Sequence, residues 1–172
     1  MVLHSLKRTL HSSLFTLHFK KLLATWFGLG LIPFAPGTMG ALGGLVLWGV
    51  GAWLLPPLTL TLLTAAAIIV FTPVGAWVSG EMERYWGEDP RAAVIDEVVG
   101  VWIPLLAAAG SGATWWLAIA AFVLFRLFDI WKPLGCRWID THIHGGWGIM
   151  LDDLLAGFYA LLVVLLLRTL FT

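Results

Sequence analysis

Three long stretches of this 172-residue chain contain no Asp, Glu, Lys or Arg, and they limit the folds that it can adopt. They cover residues 22–80, 98–125 and 154–167, while all ten acidic residues fall within residues 81–153. About 20 apolar residues suffice for a helix to cross the hydrocarbon core of a bilayer. A composition of 60% hydrophobic and 12% charged residues is also too apolar for a water-soluble domain. The sequence therefore predicts an integral membrane protein.

Prolines, glycines and charges divide the apolar sequence into five predicted membrane helices. Each run is near the length needed to span a bilayer, and tilt or local thinning accommodates the shorter ones. The sequence thus predicts an all-α helical bundle of about five spans, with residues 22–172 as one membrane-embedded domain. The five runs are residues 40–55, 58–79, 92–110, 113–128 and 154–171.

Residues 1–21 carry four basic residues and no acid, and they predict an amphipathic helix on the anionic, cytoplasmic surface of the membrane. If the five spans alternate from there, nine of the ten Lys and Arg residues lie on the cytoplasmic side. The charged segments 81–95 and 126–153 are then cytoplasmic as well. The apolar face of the surface helix consists of Leu3, Leu6, Leu10, Leu14 and Leu17.

The charge balance and the single cysteine exclude two classes of function. A formal net charge of zero argues against a nucleic-acid partner, because a polyanion binder needs an excess of basic side chains. One cysteine, Cys136, cannot form an intrachain disulfide, and we interpret it as a small buried residue rather than a nucleophile. A lipid or a small molecule is the expected ligand.

Two pairs of adjacent acids stand at the predicted cytoplasmic ends of apolar runs: Asp96 with Glu97, and Asp152 with Asp153. One acid at a helix amino terminus is explained by capping and by the helix dipole. A second acid, rotated about 100° around the helix, adds repulsion and desolvation that a cation offsets. Carboxylate oxygens suit Mg²⁺. The four acids are therefore predicted metal ligands, with simple capping as the alternative.

Basic side chains between the fourth and fifth runs are candidates for binding an anionic head group. Arg126 offers a bidentate fork and Lys132 a point charge. The alternatives are an ion pair of Arg126 with Asp129, three residues later, and snorkelling of Lys132 to the interface. Arg137 and Asp140 are interpreted as loop or interface charges, with contact to the substrate as the alternative.

Two glycine-containing segments complete the candidate site. His144 precedes Gly145, where a glycine allows a ligand close to the backbone, so His144 is predicted to act as a general acid, to bind phosphate or to hold the loop. Gly37 and Thr38, at the start of the first span, can present N–H groups and a hydroxyl to an anion. The segment around them is neither a Walker loop nor a dinucleotide fingerprint.

Taken together, these motifs resemble the bacterial phosphatidylglycerophosphatase A family over residues 26–160. The resemblance implies a Mg²⁺-dependent enzyme of the bacterial inner membrane that removes the terminal phosphate from phosphatidylglycerophosphate, with its active site facing the cytoplasm. The matching residues are Pro36-Gly37-Thr38 with Gly40, Asp96-Glu97 with Val99-Gly100, Phe125-Arg126 with Phe128-Asp129 and Lys132-Pro133, and His144-Gly145-Gly146 with Gly148-Ile149-Met150 and Asp152-Asp153.

The resemblance and the residue chemistry together assign a role to each candidate. The expected metal ligands are Asp96, Glu97, Asp152 and Asp153. The expected catalytic residues are Asp96, Asp153, His144 and Lys132, and the expected substrate-binding residues are Thr38, Arg126, Lys132 and Gly145. Attack by water and attack by an aspartate both remain open.

Two other classes of function share some of these features. A cation- or proton-coupled transporter also places acids in membrane helices, but a transport path needs polar groups across the bilayer, and the uncharged stretches offer few. A scaffold that binds anionic lipid without chemistry would need the basic residues but not the paired acids.

Overall fold

The structure is a computed structural model that describes residues 16–87, 90–111, 114–133 and 135–171. These ranges contain helices, including a short 3-10 helix at Leu29–Leu31, and no strand, so the all-α prediction is confirmed. The α-helices are α1 (16–24), α2 (Pro36–Leu54), α3 (Pro57–Trp86), α4 (Ile95–Leu105), α5 (Thr114–Trp131), α6 (Cys136–His142) and α7 (Gly146–Phe171).

Helix α4 is the central helix of the bundle, and α2, α3, α5 and α7 pack around it. Its sequence is apolar on nearly every side, as is typical of a helix that other helices surround. Val98, Val99, Val101 and Leu105 are completely buried. The Trp102 indole is also buried and donates a hydrogen bond to the Gly44 carbonyl on α2, 3.0 Å away.

Within the described ranges, four helices, α2, α3, α5 and α7, are long and apolar enough to cross a membrane. The third predicted run is different, because its helix α4 has only 11 residues. Pro104 near its end has no N–H and disfavours further helix, and the backbone continues in turns through residue 110. Gly110 nevertheless lies against Pro57 at the start of α3. Residues 95–110 therefore run from one end of the bundle to the other, as the predicted alternation of five segments requires.

The two ends of the bundle differ in chemistry. At one end, Arg168 of α7 donates to the Ala107 carbonyl at 3.0 Å, beside the contact of Gly110 with Pro57. At the other end, the starts of α4 and α7 meet the ends of α3 and α5. Every acidic residue that the structure describes lies at this second end, which we call the polar end.

Helices α3 and α7 extend beyond the predicted spans at the polar end. Helix α3 continues to Trp86 rather than residue 79, so Glu81 and Glu83 are helical. Helix α7 begins at Gly146 rather than residue 154, which puts the acidic pair in its second turn and not at its amino terminus. The prediction was wrong here because charges end an apolar run but not a helix, and Glu and Arg are good helix formers.

Exposed tryptophans lie near both ends of the bundle, as expected where helices leave a bilayer. Trp115 and Trp131 mark the two ends of α5, about 24 Å apart along the helix axis. This spacing is close to the thickness of a hydrocarbon core. The exposed tryptophans are Trp77, Trp86, Trp131, Trp138 and Trp147 towards the polar end, and Trp53, Trp115 and Trp116 towards the other.

The predicted surface helix of residues 1–21 is described only in part, because residues 1–15 lie outside the described ranges. Residues 16–24 form α1, which packs against the polar end of α3. Lys20 forms an ion pair with Glu81 at 3.1 Å, and its ammonium lies 4.6 Å from the centre of the Trp77 ring. The described part of the segment is thereby attached to the end of the bundle that carries the acids.

Candidate active site

Glycine brings α4 and α7 into close contact at the polar end. A Cβ atom on Gly157 would lie 2.5 Å from the Gly100 carbonyl oxygen, and one on Gly100 would lie 2.5 Å from the Phe125 ring. Neither position has room for a methyl group. Because Pro104 has no N–H to occupy the Gly100 carbonyl, that carbonyl is free to face Gly157. The close approach places the acids of α4 beside those of α7.

Asp96, Glu97 and Asp153 form a cluster whose carboxylate oxygens lie within 4.8 Å of one another. Asp96 and Asp153 are only 8% and 3% exposed. One oxygen on each of the three side chains is buried and has no hydrogen-bond partner among the described residues. Buried carboxylates without partners are costly, and three together repel one another. The cluster is therefore shaped for a positively charged ligand.

The cluster fits a divalent cation such as Mg²⁺. The cation prefers hard oxygen ligands, and each of the three carboxylates offers one oxygen within 4.8 Å of the other two. One or two carboxylates with water and substrate phosphate also form a common Mg²⁺ site. Asp96, Glu97 and Asp153 would hold the ion.

Asp152 lies outside this cluster, although the sequence predicts four equivalent ligands. Its Oδ2 accepts a hydrogen bond from Lys132 Nζ at 2.8 Å. The next residue, Asp153, is rotated by about 100° on α7 and therefore faces α4. The adjacent acids of α7 thus point to two different partners.

Lys132 follows the last residue of α5 and adopts a left-handed backbone conformation, with φ +47°. This conformation is unfavourable for a residue with a Cβ and is often found at functional sites. Burial lowers the pKa of the Lys132 ammonium, but its hydrogen bonds to Asp140 and Asp152 outweigh burial and raise that pKa above its ordinary value. Lys132 is therefore a cation at neutral pH.

A cavity of about 440 Å³ opens beside the cluster at the polar end. It brings together seven of the predicted site residues, which are Asp96, Glu97, Lys132, His144, Gly145, Asp152 and Asp153. The wall is completed by Glu83, Asp129, Asp140, Thr141, Ile143, Gly148 and Ile149. The cavity is strongly acidic, with one lysine and one histidine on its wall.

Arg126 and Thr38 lie on the α2 side of the cluster and do not line the cavity. Arg126 forms the ion pair with Asp129 that the sequence suggests, and both side chains are largely buried. A Cβ atom on Gly37 would overlap Glu97 Oε1 and lie 3.2 Å from Arg126 Nη1. Gly37 therefore provides the space in which Glu97 and Arg126 approach the start of α2, and Thr38 is the next residue.

The glycines after His144 pack closely against neighbouring backbone. A Cβ atom on Gly146 would overlap the Ala76 carbonyl, and one on Gly148 would overlap the Ile143 carbonyl. Both glycines belong to the first turn of α7. Gly145 precedes that turn with φ +79°, a conformation that glycine adopts without strain.

Sequence reasoning missed Glu83 and Asp140 as residues of the cavity wall. Glu83 lies on the same side of α3 as Ala76 and Gly80, which both contact Gly146 of α7. The helical spacing of these two small residues was the available signal, because Glu83 lies one turn beyond Gly80 on the same side. Asp140 had no such signal, since its place depends on how α6 packs on α7.

Cys136 is 1% exposed, at the start of α6. Burial raises the pKa of its thiol to about 11, so the thiol is protonated at neutral pH. A protonated, buried thiol is a poor nucleophile. These properties agree with the interpretation of Cys136 as a packing residue.

The comparison with protein families matches residues 22–168 to the model described as Phosphatidylglycerophosphatase A. No solved structure matches the chain. Among curated proteins, a Bacteroides thetaiotaomicron protein named "Putative phosphatidylinositol-3-phosphatase" is 48% identical over 86% of this chain and 92% of its own length.

Two further relatives are named Phosphatidylglycerophosphatase A. The Escherichia coli protein is 37% identical over 79% of this chain and 76% of its own length. The Haemophilus influenzae protein is 40% identical over 83% of this chain and 85% of its own length. Because the family match covers every residue of the cavity wall and these relatives are similar over most of the chain, the chain belongs to the phosphatidylglycerophosphatase A family.

Proposed function

We propose that this chain is a Mg²⁺-dependent lipid phosphatase that hydrolyses phosphatidylglycerophosphate to phosphatidylglycerol and phosphate. The observation that carries the proposal is the convergence of three carboxylates, two of them buried and one partly buried, and a lysine ammonium on one cavity at the end of a membrane-type bundle. Asp96, Glu97 and Asp153 would hold Mg²⁺, which would polarise the phosphoryl group and offset its charge.

The chain's own residues bind and orient the phosphate monoester. The Lys132 ammonium binds a phosphoryl oxygen, because it is charged and lies on the cavity wall. Asp96 and Asp153 serve the attack on phosphorus: if water attacks, its oxygen bonds to phosphorus and one of these carboxylates takes its proton, and if one of these carboxylates attacks, water then hydrolyses the acyl phosphate. As the bond between phosphorus and the lipid oxygen breaks, that oxygen takes a proton, and His144 on the cavity wall donates it.

Three further residues are assigned to substrate binding. Gly145 lines the cavity and leaves its backbone open to a ligand. Arg126, which is paired with Asp129 behind the cavity wall, adds positive charge on the α2 side of Glu97 without touching the cavity. Thr38, in the first turn of α2, contributes a hydroxyl from the same side.

The positions of the acids support a phosphatase over a transporter. All described acids lie at the polar end, and the other buried polar side chains among the described residues, Thr25, Thr64 and Ser79, carry no charge. A coupled transport path needs polar groups through the bilayer. A cavity at one end is instead suited to a lipid head group.

Phosphatidylinositol 3-phosphate is the second candidate substrate, because the Bacteroides relative is named for that activity. Both lipids present a phosphate monoester on a polyol, which the same cavity residues would bind. We favour phosphatidylglycerophosphate because the family model and two relatives carry that name.

The test is phosphate release by the purified full-length chain in detergent–lipid micelles. The substrates are phosphatidylglycerophosphate, phosphatidylinositol 3-phosphate and phosphatidic acid, each with Mg²⁺ and with excess chelator. We expect the highest kcat/KM with phosphatidylglycerophosphate and no turnover in chelator. Full activity in chelator would contradict the cation requirement. A higher kcat/KM with phosphatidylinositol 3-phosphate would identify that lipid as the substrate instead of phosphatidylglycerophosphate. No release from any lipid, together with acid-dependent solute uptake into liposomes, would favour a transporter.

We further propose that the chain lies in a bacterial inner membrane with the polar end facing the cytoplasm. The basic residues at that end support this orientation. A cysteine replacing Ser111 should be labelled by an impermeant reagent from the outer side, and one replacing the exposed Tyr85 only from the cytoplasm. The native Cys136 is buried, so background labelling should be low. The reverse pattern would overturn the orientation.

A further inference from the structure

Lys132 is held between two carboxylates that come from different helices. Its Nζ lies 2.7 Å from Asp140 Oδ1 on α6 and 2.8 Å from Asp152 Oδ2 on α7. The Asp152 side chain is 9% exposed, whereas the Asp140 side chain is 40% exposed. The ammonium is therefore fixed from the interior of the bundle and from its surface at once.

The two contacts leave one donor for a ligand. A lysine ammonium carries three N–H groups and no acceptor. Among the described residues, Asp152 accepts a hydrogen bond from this ammonium and Asp140 forms an ion pair with it, and all three side chains line the same cavity. With carboxylates of two different helices on two sides of the ammonium, the remaining N–H is left for a ligand in the cavity.

The backbone at Lys132 makes such fixing necessary. Its left-handed conformation and the following Pro133 direct the chain away from the axis of α5, so no helix holds the side chain. A long lysine side chain loses about 2 kcal/mol of rotamer entropy when it is held in one place. Two charged acceptors at hydrogen-bond distance offset that cost, whereas Asp152 alone would leave the ammonium free to turn about one contact.

We propose that Asp140 is a positioning residue, which acts through Lys132 and fixes its third N–H towards the phosphoryl group of the substrate. The inference rests on the proposed function, because it takes the phosphate monoester as the ligand of that N–H. Neither the sequence motifs nor the predicted site contains Asp140. The Asp140 carboxylate would repel a phosphate in direct contact, and its contribution to binding is therefore indirect.

The experiment measures kcat and KM for phosphate release by the full-length chain carrying Asp140→Ala, Asp140→Asn or Asp140→Glu. We expect Asp140→Ala to lower kcat/KM about tenfold, as for loss of one hydrogen bond to a charged group. The kcat/KM of Asp140→Asn should lie between those of Asp140→Ala and the parent chain, and Asp140→Glu should retain most of the parent activity. Arg137→Gln is the matched control on α6, because Arg137 is exposed and does not line the cavity.

A double-mutant cycle separates positioning from general support of α6. If Asp140 acts through Lys132, adding Asp140→Ala to Lys132→Ala should change kcat/KM by less than twofold. A purely structural role predicts instead that the second substitution lowers activity by the same factor in both backgrounds, along with the melting temperature. That result, or full activity of Asp140→Ala, would overturn the proposal. Absence of phosphate release by the parent chain would refute the proposed function and not the positioning of Lys132.

Discussion

The two acidic pairs look alike in the sequence but do different things in the structure. On α4, Asp96 and Glu97 both join the cluster that fits a cation. On α7, Asp153 joins that cluster, whereas Asp152 binds Lys132. Both pairs lie on helices that begin at the polar end, so the difference does not come from depth. It comes from what surrounds each helix.

Helix α4 is central, and therefore each side of it faces another part of the protein. Asp96 and Glu97, though rotated by about 100° from each other, can both reach the space between α2 and α7. Helix α7 has α4 on one side and α6 on another. Its two acids are divided between those neighbours. Adjacent acids thus share one ligand only where the surrounding helices leave one cavity for both.

The largest effect should come from Asp153→Asn. Removing one carboxylate from the cluster should lower kcat/KM about a thousandfold and raise the Mg²⁺ concentration needed for half-maximal activity. Phosphate release measured across a Mg²⁺ titration provides both numbers. Because asparagine has nearly the same shape and relieves repulsion among buried acids, the melting temperature should not fall. Unchanged activity in this variant would exclude Asp153 from the site.

Asp152→Asn should have a smaller effect of another kind. It removes one charged partner of Lys132, which corresponds to a loss of about tenfold to a hundredfold in kcat/KM. The Mg²⁺ concentration for half-maximal activity should stay the same, since Asp152 lies outside the cluster. A shift in Mg²⁺ dependence equal to that of Asp153→Asn would show that all four acids act together, as the sequence alone suggests.

The sequence predicted the helices, the alternation of five segments and the residues of the acidic pairs, because apolar length and charge position determine these directly. It did not predict which acid of α7 faces α4. That choice depends on the rotation of α7, which the contact between Gly100 and Gly157 fixes. Helix ends were also misplaced at the polar end, since helices continue beyond the apolar runs. Asp140 and Glu83 reach the cavity only through packing between helices.

The smallest effect should come from Gly37→Ala, which probes the α4 pair without removing an acid. The new methyl group would overlap Glu97 Oε1, the flexible end of a side chain, so Glu97 should shift while the fold stays intact. Displacing one group of a site by about 1 Å can cost up to a hundredfold in rate, and we expect about tenfold here because the side chain can adjust. Phosphate release and the melting temperature should be measured together.

Gly49→Ala is the matched control on the same helix, because its added Cβ would lie 3.5 Å from the Trp115 ring, an ordinary contact. Both substitutions replace a helical glycine with a better helix former, so any gain in helix stability is common to both. A loss of activity in Gly37→Ala alone would then report the position of Glu97. Equal losses in the two variants would mean that α2 as a whole is perturbed, and the distinction between the α4 pair and the α7 pair would rest on the aspartate variants alone.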